Sequence, residues 1–353
     1  MNTTLGDQLV FSTGSSAPRR SPGGRFRVYG ANGAIGYAAE PNAAGPLIVL
    51  GRVGAQCGSL RYCDSDAWVT ENALICRAKN PGETRYWYYA LQTCRLGDHR
   101  SGSGQPLLSQ RILRDVAVQS VAAPRREAIA ELLGALDDKI SANERVIETA
   151  QHVMAAIAES APERAPLSSL ASRSTAFLNV AEFDHVVAHF SLPAFDDGAK
   201  PHVVSSKSIR SGKFVLSEPC VLFAKLNPRI PRIWNVVRLP SEMALASSEF
   251  VVLKPTGVDA SALWSAVRQP DVSQRLQRRV AGTSASHQRI HPRDLLDVRV
   301  PDVRRLPTAA LQTITGLGVL CHARRTESAR LSAFRDALLP RLISGEVLLR
   351  SPR

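Results

Sequence analysis

One stretch in the middle of the chain, residues 125–160, constrains the fold more than any other part of the sequence. Its apolar residues recur at steps of three and four, and apart from Gly134 neither Gly nor Pro interrupts it. This spacing is typical of a helix of roughly 30 residues whose apolar seam packs against another helix. Pro124 marks its start. Asn143 falls on the seam, where a lone polar residue usually fixes the register of the packing.

A second stretch, residues 308–344, has the same helical period and is the predicted partner, although Arg324, Ser328 and Arg335 weaken its seam. Two long helices, each following a globular segment, predict a duplicated plan of globule, helix, globule, helix. The alternative is two unrelated amphipathic helices that pack on separate cores. The predicted seam residues are Ile129, Leu133, Leu136, Ile140, Asn143, Ile147, Met154, Leu317, Leu331 and Leu338.

An internal match supports the duplication. Arg111–Val118 (RILRDVAV) and Arg293–Val300 (RDLLDVRV) share the pattern R-x-L-x-D-x-x-V, and each lies between a polar loop and a long helix. Strands, an aromatic-containing helix and a Gly/Ser/Gln/Arg loop precede both, in the same order, which is typical of α+β domains. The predicted architecture is therefore α+β, with two similar globules separated by two long antiparallel helices that form a coiled coil. The predicted boundaries are 1–124 and 161–303 for the globules, 125–160 and 304–346 for the helices, and 347–353 for a tail.

Bulk properties exclude several classes of protein. The 353 residues are 44% hydrophobic, enough for packed cores, and no apolar run is long enough to span a membrane. No signal-peptide pattern begins the chain, so we expect a soluble, cytoplasmic protein. The six cysteines form no CxxC pair, which argues against a zinc site and a disulfide framework. His185 and His189 stand four apart but lack the Glu of a zincin motif.

The net charge of +13 is unevenly distributed. Residues 1–124 carry +5 and residues 166–300 carry +6, whereas residues 125–165 carry −3. Basic globules fit a polyanionic partner, and an acidic helix fits a spacer that faces protein. Arg outnumbers Lys by 37 to 7. Arg suits guanine and phosphate recognition, but GC-rich coding produces the same bias.

Catalytic signatures are missing from the sequence. The glycine-rich GRVGAQCG, residues 51–58, is not a P-loop because it lacks the GK[ST] ending and no helix follows it. We find no base-methylation motif, no glycine signature for a methyl donor, no nuclease arrangement and no Walker set. A Ser/His/Asp hydrolase is disfavoured because there is no nucleophile elbow. The chain is therefore predicted to be non-catalytic.

The sequence resembles the specificity subunits of type I restriction–modification enzymes over nearly the whole chain. AIAELLGALDDKISANER and SARLSAFRDALLPRLISGEV look like the two conserved helical regions of that family. YGANGAIGYAAE, GRVGAQCGSLRY, WVTENAL and SGSGQPLLSQ look like blocks of a first target-recognition domain. HFSLPAFDDG, KLNPRIPRIWNV, ASSEFVVL and GTSASHQRI look like blocks of a second.

The resemblance implies two target-recognition domains that each read half of a split DNA sequence, with the long helices as a ruler between them. It also implies assembly with two methyltransferase (modification) subunits and with restriction (translocase–nuclease) subunits. S-adenosylmethionine, ATP and Mg would bind to those subunits, and no cofactor to this chain. The alternative is an orphan DNA-binding or protein adaptor that has no partner enzyme.

For DNA contact we favour polar loop residues that can reach base edges, because Arg and Lys suit guanine and Asn and Gln suit adenine. The alternative is that these residues only form turns, or that Arg52 or Arg229 caps a core element. The candidates in the first globule are Tyr29, Asn32, Arg52, Gln56, Ser59, Thr70, Asn72, Ser103 and Gln105. In the second they are Ser206, Lys207, Lys225, Asn227, Arg229, Ser247, Ser248, Thr283, Ser286, Gln288 and Arg289.

Overall fold

A computed structural model of the chain describes residues 2–19, 21, 23–101, 106–119, 121–279 and 288–349, with the backbone alone at 2 and 279. The contacts divide the chain into two compact units. The first comprises Met1–Lys139 with Leu331–Arg353, and the second comprises Ile140–Arg330. No helix in the described part of the chain is long and apolar enough to cross a membrane.

The first unit contains short strands and helices, followed by the long central helix. Its strands are β1 (Asn2–Thr4), β2 (Leu9–Thr13), β3 (Phe26–Gly30), β4 (Gly33–Ala38), β5 (Leu47–Gly51), β6 (Leu60–Cys63), β7 (Trp68–Val69), β8 (Ala73–Ala78) and β9 (Ala117–Gln119). Its helices are α1 (Leu5–Gln8), α2 (Thr84–Thr93), α3 (Gln110–Arg114) and the beginning of α4 (Ala123–Glu159).

The core of the first unit is built on both faces of an antiparallel sheet with the order β2-β8-β5-β6. Every residue of β5 is buried, because alternate side chains point to opposite faces of a sheet that is covered on both. Ile48 and Leu50 pack in the cluster that includes Trp87 of α2. Leu47 and Val49 pack against a second sheet, β4-β3-β7. A separate antiparallel pair joins β1 to β9.

The second unit repeats this order with additional strands. Its strands are β10 (Arg164–Pro166), β11 (Ala171–Arg173), β12 (Phe177–Leu178), β13 (Val186–Phe190), β14 (His202–Ser205), β15 (Lys213–Val215), β16 (Cys220–Ala224), β17 (Ile233–Val236), β18 (Met243–Ala246), β19 (Phe250–Pro255) and β20 (Arg299–Pro301). Its helices are α5 (Leu192–Asp196), α6 (Ala260–Val267), α7 (Pro270–Arg279), α8 (Pro292–Leu296) and most of α9 (Thr308–Ser344), together with the remainder of α4.

The predicted duplication is confirmed by the sheets. The order β11-β19-β16-β17 repeats β2-β8-β5-β6, and the pair β10-β20 repeats β1-β9. The matching sequence segments become α3 followed by β9, and α8 followed by β20. β16 is buried throughout, as β5 is, because both are inner strands covered on both faces. The other sheet of the second unit is larger, with the order β12-β15-β18-β13-β14.

The prediction of two long helices is also confirmed, and both helices belong to both units. In the first unit, Ile129 and Leu133 of α4 lie in one buried cluster with Leu339 and Leu342 of α9. Arg335, one of the residues that weaken the predicted seam, donates to the Asp137 carboxylate across the two helices. At this position along the two helices, an ion pair therefore takes the place of apolar packing.

In the second unit, Asn143 is 1% exposed, and its side-chain amide donates to Oε2 of Glu327 at 3.1 Å and to Oγ of Ser328 at 3.2 Å. Cys321 packs beside Ile147, so a later residue of α4 meets an earlier residue of α9, as antiparallel helices require. Of the predicted seam residues, Ile129, Leu133, Asn143 and Met154 are buried, and Leu136, Ile140, Ile147, Leu317, Leu331 and Leu338 are half-buried.

Candidate nucleic-acid interface

In the first unit, backbone hydrogen bonds gather three chain segments at the end of β5. The N–H of Arg52 donates to the carbonyl of Asn72 at 3.2 Å, and the carbonyl of Arg52 accepts from the N–H of Leu108 at 2.9 Å. The N–H of Gly54 donates to the carbonyl of Pro106 at 3.1 Å. We call this group, residues 52–56, 72 and 106–108, loop cluster 1. It sits at the end of a rigid inner strand, which fixes its backbone.

The turn between β3 and β4 is held against loop cluster 1 through a glycine. A Cβ at Gly51 would lie 2.4 Å from the carbonyl oxygen of Ala31, so only glycine permits this approach. Oγ of Ser59 donates to the same carbonyl at 2.9 Å. Asn32, next in the chain, is exposed at the tip of this turn. Four loops of the first unit thus converge at one edge of the sheet.

The second unit makes the same three backbone hydrogen bonds at equivalent positions. The N–H of Lys225 donates to the carbonyl of Glu249 at 2.8 Å, and its carbonyl accepts from Ile290 at 2.9 Å. The N–H of Asn227 donates to the carbonyl of Gln288 at 2.9 Å. We call this group, residues 225–229, 249 and 288–290, loop cluster 2.

The two clusters correspond residue by residue. Arg52 corresponds to Lys225, so a cation follows the inner strand in both units. Gly54 and Asn227 both have left-handed backbones, with φ of 71° and 51°. Glycine adopts this conformation freely, and Asn is among the few other residues that adopt it often. The remaining equivalent positions are Asn72 with Glu249, Gln56 with Arg229, Pro106 with Gln288, Leu107 with Arg289, and Leu108 with Ile290.

Positive charge dominates loop cluster 2. Burial is the main cause that lowers the pKa of Lys225, and Arg289 and Arg173 act in the same direction while Glu249 opposes them. Nη2 of Arg289 donates to Oε1 of Glu249 at 2.9 Å. Nε of Arg52 in loop cluster 1 is buried without a hydrogen-bond partner among the described residues. The crowded cations of loop cluster 2 and, separately, the incompletely paired Arg52 of loop cluster 1 are each suited to an anionic ligand.

Most of the predicted contact residues lie in or beside these clusters. Asn32, Gln56, Asn72, Arg229 and Arg289 are exposed, and Arg52, Ser59, Lys225, Asn227, Ser247, Ser248 and Gln288 are half-buried. Ser247 begins the turn between β18 and β19: its carbonyl accepts from the N–H of Phe250 at 3.0 Å, and Glu249 lies within the same turn.

The structure does not gather all of the candidates, and two need correction. Tyr29 and Thr70 are buried, 7% and 1% exposed, because the tyrosine ring belongs to the core between the two sheets. Their side chains are not available to DNA. Ser206 and Lys207 lie at the start of β13, opposite the end where Ser247 bonds to Phe190. The candidates that fall outside the described residues are Ser103, Gln105, Thr283 and Ser286.

Sequence reasoning missed two features of loop cluster 2. Glu249, an acidic residue among basic neighbours, was not a candidate although it sits directly between Ser248 and β19. Helix α7 also lies against the cluster, because Nε2 of Gln277 donates to the carbonyl of Pro228 at 3.3 Å. The arginine-rich sequence QRLQRR of α7 was a signal for this placement.

No group of three or more His, Cys, Asp or Glu side chains arranged to hold a metal ion occurs within the described ranges. The chemistry offered at the two clusters is hydrogen bonding and charge: guanidinium and ammonium donors, amides, and one carboxylate. Base edges and phosphates are the ligands that such groups recognise.

Comparison with solved structures defines the class of fold. The S subunit of a type I restriction–modification system from M. genitalium superposes with a TM-score of 0.59 at 14% sequence identity, over 97% of this chain and 96% of that one. An HsdS subunit from Thermoanaerobacter tengcongensis, also 14% identical, covers 98% of this chain and 97% of its own with a TM-score of 0.33, too low to compare architecture. The fold is that of a type I specificity subunit.

Sequence comparison finds a similarity to a protein of the same kind over part of the chain. The specificity subunit of the type I restriction enzyme EcoprrI from Escherichia coli is 28% identical over 113 residues, which are 32% of this chain. The aligned part spans 28% of the length of that relative. No protein-family profile matches the chain. The predicted resemblance to type I specificity subunits is thus confirmed by fold and by sequence.

Proposed function

We propose that this chain is a non-catalytic, sequence-specific DNA-binding subunit of a type I restriction–modification enzyme that recognises a bipartite target. The observation that supports this most is the duplicated loop cluster, built twice from equivalent backbone hydrogen bonds but with different side chains. A repeated scaffold with different side chains is what reading two different half-sites requires, because the scaffold positions the donors and the side chains select the bases.

In this proposal each loop cluster reads one half-site. Arg52 and Lys225, at equivalent positions, contact phosphate or guanine, and Asn32, Asn72 and Gln56 offer amides for adenine. The overall charge of +13 favours the duplex without regard to sequence. Specificity then depends on the few exposed side chains of each cluster rather than on the net charge.

The long helices set the spacing between the half-sites and bind the partner subunits in this proposal. Their apolar residues are not all used within the chain: Val153 is 42% exposed, Val319 is 55% exposed and Phe334 is 54% exposed. Exposed apolar side chains on a helix suit a partner helix. We assign these exposed side chains to contacts with two methyltransferase subunits. S-adenosylmethionine, ATP and Mg would be held by those and by the restriction subunits, in the cytoplasm.

The test is methylome sequencing of cells that express this chain together with the methyltransferase encoded beside it, against cells that express the methyltransferase alone. The expected result is a new bipartite methylated motif with a fixed spacer. In the same assay, the Arg52→Ala and Lys225→Ala variants should each lower the sequence specificity of methylation in a different half of that motif. A methylation pattern that is the same with and without the chain would refute the proposal, and failure of the methyltransferase to co-purify would favour an orphan adaptor.

A further inference from the structure

Glu249 connects every segment of loop cluster 2. Its carbonyl accepts the N–H of Lys225 at 2.8 Å, which ties it to the loop after β16. Its Oε1 accepts from Nη2 of Arg289 at 2.9 Å, which ties it to the segment after α7. The backbone of Arg289 is itself fixed by a bridge to Leu226. Both ends of the Arg289 side chain are therefore held.

The ion pair between Glu249 and Arg289 is asymmetric in its exposure. The arginine side chain is 62% exposed, whereas the carboxylate side chain is 30% exposed. Oε2 of Glu249 is buried and has no hydrogen-bond partner within the described ranges. A carboxylate oxygen in this state destabilises the fold, and an exposed ion pair contributes little in return. Stability does not explain why this carboxylate is placed here.

The geometry leaves the guanidinium group ready to bind a further ligand. Only Nη2 of Arg289 donates to Glu249, so N–H donors remain on the same planar group. Two N–H donors of one guanidinium match the O6 and N7 acceptors of guanine in the major groove. Fixing the plane in advance reduces the side-chain entropy that is lost on binding, which strengthens the contact with a base whose acceptors match that plane.

The equivalent positions in the first unit lack this arrangement. Asn72 takes the place of Glu249, and Leu107 takes the place of Arg289. The backbone scaffold is shared, but loop cluster 1 has no guanidinium at that position. The two units therefore differ at this point in the chemistry that they present to a base.

We propose that Glu249 is a positioning residue that holds Arg289 for bidentate contact with one guanine, so that the half-site read by the second unit contains a G·C pair specified by this pair of side chains. The inference rests on the proposed function. Arg289 makes the contact and Glu249 acts through it, and no equivalent requirement exists in the half-site read by the first unit.

The experiment selects binding sites from a library of randomised DNA duplexes, using the full chain in complex with its methyltransferase. Glu249→Gln keeps the shape of the side chain and removes its charge. We expect it to lower discrimination at one G·C pair of one half-site by roughly ten- to a hundredfold, the range of one bidentate base contact. Arg289→Ala should lose the same base pair, and the double variant should lose no more than Arg289→Ala alone.

Two further variants separate positioning from folding and from charge. Arg289→Lys keeps the charge but loses the planar fork, so it should lose the base preference while keeping its affinity for random duplexes. Glu218→Gln is the matched control: Glu218 forms a 2.8 Å ion pair with Lys254 in the same unit, outside loop cluster 2. It should leave every position of the selected motif unchanged.

The outcomes are distinguishable. Equal strengthening on all sequences by Glu249→Gln would show that the carboxylate only balances charge, and wild-type behaviour would show that it does nothing. A further loss in the double variant beyond Arg289→Ala would mean that Glu249 reads a base itself. Each of these results overturns the inference while leaving the proposed function in place. Absence of any selected motif with the wild-type chain would overturn both.

Discussion

Two glycines in the same helix should respond in opposite directions to the same substitution. Gly316 and Gly318 both lie in α9, within the second unit. A Cβ at Gly316 would meet nothing within 4 Å. A Cβ at Gly318 would lie 2.0 Å from Oγ and 2.8 Å from Cβ of Ser261, at the beginning of α6. Helix α6 therefore approaches α9 closely only because residue 318 has no side chain.

The magnitudes follow from propensity and packing. Replacing an exposed helical glycine by alanine stabilises a helix by about 1 kcal/mol, so Gly316→Ala should stabilise the second unit by about that amount. Gly318→Ala gains the same propensity but overpacks the contact, which costs about 1–3 kcal/mol. It also disturbs the 3.0 Å hydrogen bond from Asn235 to Oγ of Ser261, a loss of about 1 kcal/mol. We expect a net destabilisation of about 1–3 kcal/mol.

Thermal melting of the full chain and its variants measures this difference. For a unit of this size, 1 kcal/mol corresponds to a shift in melting temperature of about 2–4 °C, so a difference of about 2–4 kcal/mol should separate the two variants by about 4–16 °C. Ser261→Gly removes both atoms that clash, and Gly318→Ala made on that background should become neutral or stabilising. If both glycine variants raised the melting temperature equally, the close approach of α6 and α9 would be wrong.

Three other predictions concern the helices, the cations and a half-buried histidine. Removing 140–146 together with 324–330 deletes Asn143 with its hydrogen-bond partners and shortens both long helices by seven residues. It should shorten the spacer of the methylated motif, by about 3 base pairs if the axial rise of the helices alone sets it. An unchanged spacer would refute the proposal that the long helices set the distance between the half-sites. Arg52→Ala and Lys225→Ala should each weaken DNA binding and reduce the dependence of affinity on salt by about one unit of slope if the residue contacts a phosphate. Binding titrations in a salt series test this, and an unaltered slope would exclude that contact. Burial lowers the pKa of His189 to about 4, below its ordinary value near 6.5. The unfolded chain therefore binds a proton more readily than the folded chain does, and the stability of the fold should decrease as the pH drops from about 6.5 to 4. Melting temperatures across that range should depend less on pH in His189→Gln, and identical profiles would contradict the burial of this ring.

The elements that the sequence predicts well are those set by local periodicity. The steps of three and four in 125–160 and 308–344 became α4 and α9, because a long amphipathic pattern leaves few alternatives. The repeated R-x-L-x-D-x-x-V pattern became a short helix and strand in both units. In each unit this strand pairs with the first strand of the unit, β9 with β1 and β20 with β10.

The candidate interface was harder to predict because its geometry depends on contacts between residues far apart in the chain. Leu108 bonds to Arg52, and Ile290 bonds to Lys225, through hydrogen bonds that no local pattern encodes. Composition points to polar loops, but it does not distinguish an exposed residue such as Asn72 from a buried one such as Thr70. Burial is decided by what packs around the loop, and that is a property of the tertiary structure.

The first unit is formed by both ends of the chain, and this affects the order in which the protein folds during synthesis. Its core includes Leu339, Leu342 and Ile343, near the end of α9, packed with Leu133 and the strands made first. The ribosome therefore completes 140–330, the whole second unit, before it makes these residues. The first unit, whose strands are translated first, should thus finish folding last. Until then, apolar residues of its core remain exposed, and a chaperone can bind them.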